Sequence, residues 1–345
     1  MQQMTLTRPD DWHLHVRTGD MLKTVINHTA RQFARAIIMP NLQPPVTTVA
    51  QALNYQQEIR QATDNAYDFT PLMTLYLTNH TSIKEIKQAA ASPFVHAFKL
   101  YPAGATTNSN QGVTNLEAMS PVFSAMQEHD IPLLIHGEVT DADIDIFDRE
   151  RIFIEQKLYP LQQNFPGLRI VLEHVTTEEA VQFVQEMPDT IAATITPQHL
   201  MYNRNAILVG GIKPHYYCLP ILKRERHRRS LIQAAISGNP KFFLGTDSAP
   251  HLSHLKENDC GCAGCYSAYA AIELYAEVFD NENALDKLEG FASFYGADFY
   301  KLPRNTAQIT LEKTAWQVPA YYPVSTTNQL TPLKAGETLH WQLKG

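Results

Sequence analysis

Residues 95–104 read Val-His-Ala-Phe-Lys-Leu-Tyr-Pro-Ala-Gly. Phe98, Leu100 and Tyr101 predict a short strand, and Pro102 and Gly104 mark where it stops. Lys99 sits inside that apolar run. An ammonium is almost never fully buried unless it is paired. Lys99 is therefore exposed, neutral, paired or modified, and the segment alone leaves all four readings open. Similar short runs recur at Trp12–Val16, Ala36–Met39, Leu72–Leu77, Pro132–His136, Arg169–His174, Ile191–Ile195 and Phe242–Thr246, which with Ala97–Tyr101 make eight. Several are almost continuously apolar, as strands covered on both faces should be.

Between these runs lie amphipathic stretches. In residues 20–35, Leu22, Val25, Ile26, Thr29, Ala30 and Phe33 recur at helical spacing. Eight strands alternating with helices point to the α/β class and to a closed parallel (β/α)8 TIM barrel. An open doubly wound sheet would be favoured by a Gly-rich phosphate loop after the first strand, and the sequence has none there. The expected barrel runs from about residue 10 to about residue 300. The Pro-rich remainder, from about 301 to 345 with a strand-like piece at 337–343, is expected to pack on the barrel as an extension of one domain.

The chain has 345 residues, of which 44% are hydrophobic, enough for a large core. With 28 basic and 35 acidic residues, the net charge is −7, which argues against nucleic acid or an anionic membrane as main partner. No charged-then-apolar leader opens the chain, and no run approaches the roughly 18 apolar residues of a transmembrane helix. Cys218, Cys260, Cys262 and Cys265 do not space like a disulfide framework, so a reducing, cytoplasmic compartment is expected.

The polar residues at the C-terminal ends of the expected strands are the informative ones. They are His13, His15 and Arg17 (first), Asn41 (second), Lys99 (fourth), His136 (fifth), His174 (sixth) and Asp247 (eighth), with His251 shortly after. In a TIM barrel these ends converge on one site. His-x-His on a strand places both rings on one face, so both can ligate one metal. A lone strand-end histidine is more often a satisfied core residue, and a lone aspartate a turn residue. Together, His13, His15, His136, His174 and Asp247 point to a metal site. Imidazoles with a carboxylate suit Zn²⁺ best, with Mn²⁺ or Co²⁺ as substitutes.

The segments "DWHLHVR", "FKLYPAGATTNS", "LLIHGE", "VLEHVT" and "GTDSAPH" resemble the amidohydrolase superfamily. With Asn41, Thr106–Thr107, "GGIKPHYYCLP" and "CGCAGC", the chain is similar from Arg8 to beyond Ala297 to the dihydroorotase family of the short bacterial type. The resemblance implies that Lys99 is carbamylated (N6-carboxylysine) and that its carboxylate bridges two Zn²⁺. It implies His13, His15, Asp247 and the carbamate on one metal, and His136, His174 and the carbamate on the other. A zinc-bridged hydroxide would attack an amide carbonyl, with Asp247 as general base and then acid. The implied reaction is the reversible closure of N-carbamoyl-L-aspartate to L-dihydroorotate, in pyrimidine (UMP) biosynthesis. A planar arginine fork suits a substrate carboxylate, so Arg17 is its expected holder, with Asn41 and His251 assisting. The resemblance further implies backbone contacts from Leu219 and Ala263, a mobile lid whose Thr106 and Thr107 hydroxyls reach the substrate, and a homodimer.

Two segments invite other readings. "CGCAGC" could supply thiolates to a separate metal, but its expected role is a Gly-rich loop lining the pocket. "LKRERHRRS" could be a phosphate patch, but is expected to begin a barrel helix with a solvated face. Two other functions compete. One is another cyclic amidase, a hydantoinase or dihydropyrimidinase; the other is a non-catalytic barrel scaffold, which would be free to lose Asp247 or a histidine.

Overall fold

The computed structural model describes residues 2–344. Eight parallel strands follow one another in chain order around a single sheet: β1 Asp10–Leu14, β2 Arg35–Ile38, β3 Thr70–Leu77, β4 Val95–Leu100, β5 Leu133–Ile135, β6 Ile170–Leu172, β7 Ile191–Ile195 and β8 Phe242–Leu244. β8 returns to β1 through a bridge between Leu14 and Ser248. There the Asp247 N–H donates to the His13 carbonyl at 2.9 Å and the His15 N–H to the Ser248 carbonyl at 3.1 Å. The eight expected strands are all present, and the expected α/β barrel is the observed fold.

Alternation of side chains explains what each strand contributes. Ile37, Leu72, Ala97, Leu134, Val171, Ala192 and Phe243 point inward and form an apolar interior cluster. Two residues after Ala97, Leu134, Val171 and Ala192 stand Lys99, His136, Glu173 and Thr194. The interior is thus dry at one end and polar at the other. Trp12 closes the dry end, stacked on Tyr300 with centroids 4.6 Å apart. Gly296 permits that approach, because a Cβ there would lie 2.0 Å from Trp12 Nε1. The other strand faces pack outward against helices. Helix α1, Gly19–Ala30, buries Leu22, Val25, Ile26, Thr29 and Ala30 on one stripe. Helix α2, Val49–Ala62, is opened by a capping box between Thr48 and Gln51.

Several boundaries differ from expectation. The first helix ends at Ala30, not 35, because Gln32 turns its amide onto the His28 and Ala268 carbonyls, 2.7 Å each. β1 and β8 stop before Val16 and Thr246 because the Asp11 carboxylate replaces ladder partners. It accepts the Thr246 N–H at 2.9 Å, the Thr246 hydroxyl at 2.6 Å and the His13 N–H at 3.1 Å. β5 and β6 stop at Ile135 and Leu172, so His136 and His174 stand just beyond the ladder. A strand at Gln3–Thr7 was not expected. It pairs antiparallel with Gln308–Glu312, which pairs in turn with Gln342–Leu343. The "LKRERHRRS" segment does open a helix, Glu225–Ile236, and its cations face carboxylates: Arg228 and Arg229 meet Glu225, and Arg226 meets Glu178.

Candidate active site

Most of the expected residues meet at the polar end of the barrel. One pocket is lined by His13, His15, Arg17, Asn41, Thr106, Thr107, His136, His174, Leu219, Asp247 and Ala263, with Tyr101, Ala249 and Gly264. Lys99 lies beneath it, fully buried. His251 stands behind Arg17. Arg17, His174 and Asp247 have φ of 59°, 42° and 43°, a left-handed conformation that side chains rarely adopt. Such strain concentrates at functional sites, where surrounding structure holds it.

The imidazoles form a chain around the pocket. Ring centroids are 5.3 Å apart for His15 and His13, 5.0 Å for His13 and His174, and 4.7 Å for His174 and His136. Asp247 Oδ1 lies 3.1 Å from His15 Nε2 and 3.4 Å from His13 Nε2. Ligand atoms of His13, His15 and Asp247 all fall within 4.8 Å of one another, a spacing one cation can span. Burial lowers the pKa of His13, His15 and His174, which keeps the rings neutral, the ligand form. Burial raises that of Asp247, with His13 opposing it.

Two carboxylates that the sequence reading did not single out fix the ring tautomers. Glu173 Oε2 lies 2.8 Å from His13 Nδ1, and Glu138 Oε2 lies 2.8 Å from His136 Nε2. A carboxylate only accepts, so the proton sits on those nitrogens. The lone pairs of His13 Nε2 and His136 Nδ1 are left for a cation. The Nδ1 atoms of His15 and His174 and Lys99 Nζ are buried without a hydrogen-bond partner. Neutral imidazoles, a carboxylate and unpaired buried nitrogens fit a metal centre. The signal for Glu173 and Glu138 was present in "LEHVT" and "IHGE", but adjacency in sequence does not show which ring each carboxylate meets. Thr194 donates to Glu173 Oε2 at 2.5 Å and holds it in place. Glu173→Gln is expected to weaken metal binding about 10–100-fold, measured by chelator competition. Unchanged affinity would remove Glu173 from the metal's support.

Arg17 and Asn41 supply further polar groups to the pocket. Arg17 Nε donates to the Pro250 carbonyl at 3.2 Å, and its Nη2 lies 3.1 Å from His251 Nε2. Burial, then the Arg17 charge, pushes His251 down to about 2, so the neutral ring accepts from the guanidinium. Asn41 Nδ2 donates to the Thr107 carbonyl at 3.1 Å and so ties the 104–112 loop over the pocket. Asn41 Oδ1 stays unpaired. Lys256, also missed, explains the "CGCAGC" loop. Its buried ammonium donates to the carbonyls of Tyr217 (3.1 Å), Cys262 (2.8 Å) and Gly264 (2.7 Å). One cation thereby clamps the two loops that present Leu219 and Ala263. Among the described residues the cysteines are not in any group spaced to hold a cation.

The amidohydrolase family matches this chain over residues 11–332. The chain is 64% identical over 343 residues to a dihydroorotase of Acaryochloris marina, covering 99% of each protein. It is 62% identical over 343 residues to a dihydroorotase of Synechocystis, covering 99% of this chain and all of that one (100%). The crystal structure of dihydroorotase from Campylobacter jejuni is similar with a TM-score of 0.91 at 37% identity, covering 99% of this chain and 98% of that one. An L-hydantoinase from Arthrobacter aurescens shares the fold, with a TM-score of 0.81 at 16% identity over 99% of this chain and 83% of that one.

Proposed function

The chain belongs to the amidohydrolase family, among its dihydroorotases, and on that premise we propose that it interconverts L-dihydroorotate and N-carbamoyl-L-aspartate. The observation that carries the choice of substrate is the Arg17–His251 pair beside the histidine cluster, 3.1 Å between Nη2 and Nε2. A half-buried guanidinium next to an unpaired Asn41 oxygen suits a ring that carries a carboxylate. Hydantoin and dihydrouracil carry none, and the likeness to the hydantoinase is one of fold alone.

In this reading His13, His15 and Asp247 would hold one Zn²⁺ and His136 and His174 a second, with a carbamate on Lys99 as a further ligand. Bound there, the cations lower the pKa of water and polarise a carbonyl. The protein's own groups do the rest. Arg17, Asn41 and His251 bind the carboxylate and fix the ring. Thr106 and Thr107 close over it, and the backbone at Leu219 and Ala263 borders it. In hydrolysis Asp247 takes the proton of the attacking water and delivers it to the ring nitrogen as the C–N bond breaks; cyclisation is the reverse, with loss of water. The same reading places the chain in pyrimidine biosynthesis, as a cytoplasmic homodimer, and its free cysteines suit a reducing compartment.

The test is direct. Turnover of dihydroorotate, followed by absorbance of the amide, should exceed that of hydantoin or dihydrouracil by about 10⁴-fold in kcat/KM, as expected for a site whose polar groups are left unpaired by the wrong ring. Comparable rates on the uncharged rings would replace this reading with the hydantoinase one.

A further inference from the structure

Tyr101 follows Lys99 by two residues, so its ring projects on the same face, one step nearer the pocket mouth. It is 1% exposed and lines the pocket, yet its hydroxyl has no hydrogen-bond partner. A buried hydroxyl left unpaired is costly, and in a native structure it asks for a reason. The ring is held in place. It stacks on Tyr76 with centroids 5.1 Å apart and planes at 29°, Lys99 Nζ lies 5.1 Å from its centre, and the His136 ring is 6.2 Å away. The two stacked tyrosines differ in one respect: Tyr76 donates to the Asn108 carbonyl of the loop at 3.4 Å, whereas Tyr101 lines the pocket and its hydroxyl has no partner.

The other polar groups there have defined tasks: the imidazoles as ligands, Asp247 as proton carrier, Arg17 and its neighbours as carboxylate holders. Tyr101 is an O–H donor at neutral pH, since an ordinary phenol titrates only near 10. It stands beside Lys99 and His136, where the carbon under attack must lie if the histidine cluster acts on it. We propose that Tyr101 is a catalytic residue of this site, its O–H donating a hydrogen bond to the substrate's amide carbonyl oxygen as that oxygen becomes anionic. When water adds to the carbon, a C–O bond forms, the carbonyl π pair moves onto the oxygen, and the water proton goes to Asp247. When the oxyanion collapses, the C–N bond breaks and that proton passes to nitrogen. Tyr101 keeps its own proton throughout. A donor aimed at developing charge stabilises the transition state more than the bound substrate, so it acts on kcat. The inference rests on the dihydroorotase reading above.

Tyr101→Phe keeps the ring and its stack and removes only the hydroxyl. In zinc-reconstituted protein supplied with bicarbonate, kcat for dihydroorotate is expected to fall about 10²-fold, with KM within about threefold of wild type. Zinc per chain, by elemental analysis, and the affinity for planar orotate, by calorimetry, are expected to stay unchanged. A kcat within about threefold of wild type overturns the proposal. Loss of zinc or of orotate binding along with kcat also overturns it, by making Tyr101 a support for Lys99 and the pocket. A wild-type chain that fails to turn over dihydroorotate rejects the functional reading first, and this inference with it.

Discussion

Lys99→Ala is expected to abolish activity, lowering kcat/KM by more than about 10³-fold, the scale of losing one member of a catalytic unit. Lys99 is 0% exposed and its Nζ has no hydrogen-bond partner, an arrangement no ammonium tolerates well. Burial brings its pKa down to about 8, although Glu173 and Asp247 pull the other way. Part of the population is then a free amine at neutral pH. A free amine can add CO₂: its lone pair forms the N–C bond, one C=O π pair moves onto oxygen and one N–H proton leaves, so the neutral amine would become an anion with two oxygens. Above it in the pocket stand the rings of His13 and His15, centroids 5.3 Å apart, and those of His136 and His174, 4.7 Å apart. The alanine variant should bind less than the roughly two metals per chain of the two-metal reading, measured by elemental analysis of dialysed protein. Small carboxylates such as acetate should restore part of the activity by filling the space. Near wild-type turnover in the variant, without added carboxylate, would return Lys99 to the role of an unmodified lysine.

Asp247→Asn is the second large effect. The amide keeps the shape of the side chain but cannot accept the proton of the attacking water. Proton transfer by a positioned group contributes about 10²–10⁴-fold, so kcat should fall by that much. Asp247 is held by its backbone N–H on the His13 carbonyl at 2.9 Å, which the substitution leaves intact, so the barrel closure should survive. Metal held near His13 and His15 should weaken, because Asp247 Oδ1 lies 3.1 Å from His15 Nε2. Metal near His136 and His174 should remain. Competition with a chelator separates the two populations, and stopped assays give kcat. A loss of less than about tenfold would assign the proton to another group.

The sequence by itself determined the barrel and the strand-end residues that meet in it. Both follow from local chemistry. Apolar runs of strand length bury on two faces, and alternation then carries Lys99 to the same inner face as Ala97. His-x-His declares a shared ligand face within three residues, so "DWHLHVR" was legible without any partner. Arg17 and Asn41 were legible for the same reason, because each stands three residues beyond the end of a strand. What stayed hidden depends on contacts between residues far apart in the chain. Glu173 meets His13 across 160 positions, and Asp11 meets Thr246 across 235. No local pattern tells a carboxylate that orients a histidine from one that faces solvent. Lys256 reads as an ordinary surface lysine until folding surrounds it with the carbonyls of Tyr217, Cys262 and Gly264. The Gln3–Thr7 strand gains its partner only from Gln308–Glu312 at the other end of the chain. The tertiary structure alone decided which nitrogens of His13 and His136 face a carboxylate, because a tautomer is set by the group that accepts its proton. The strand-end histidines, Lys99 and Asp247 could therefore be read from the sequence, while the carboxylates that orient two of the rings and the lysine that clamps the loops came only with the closed barrel.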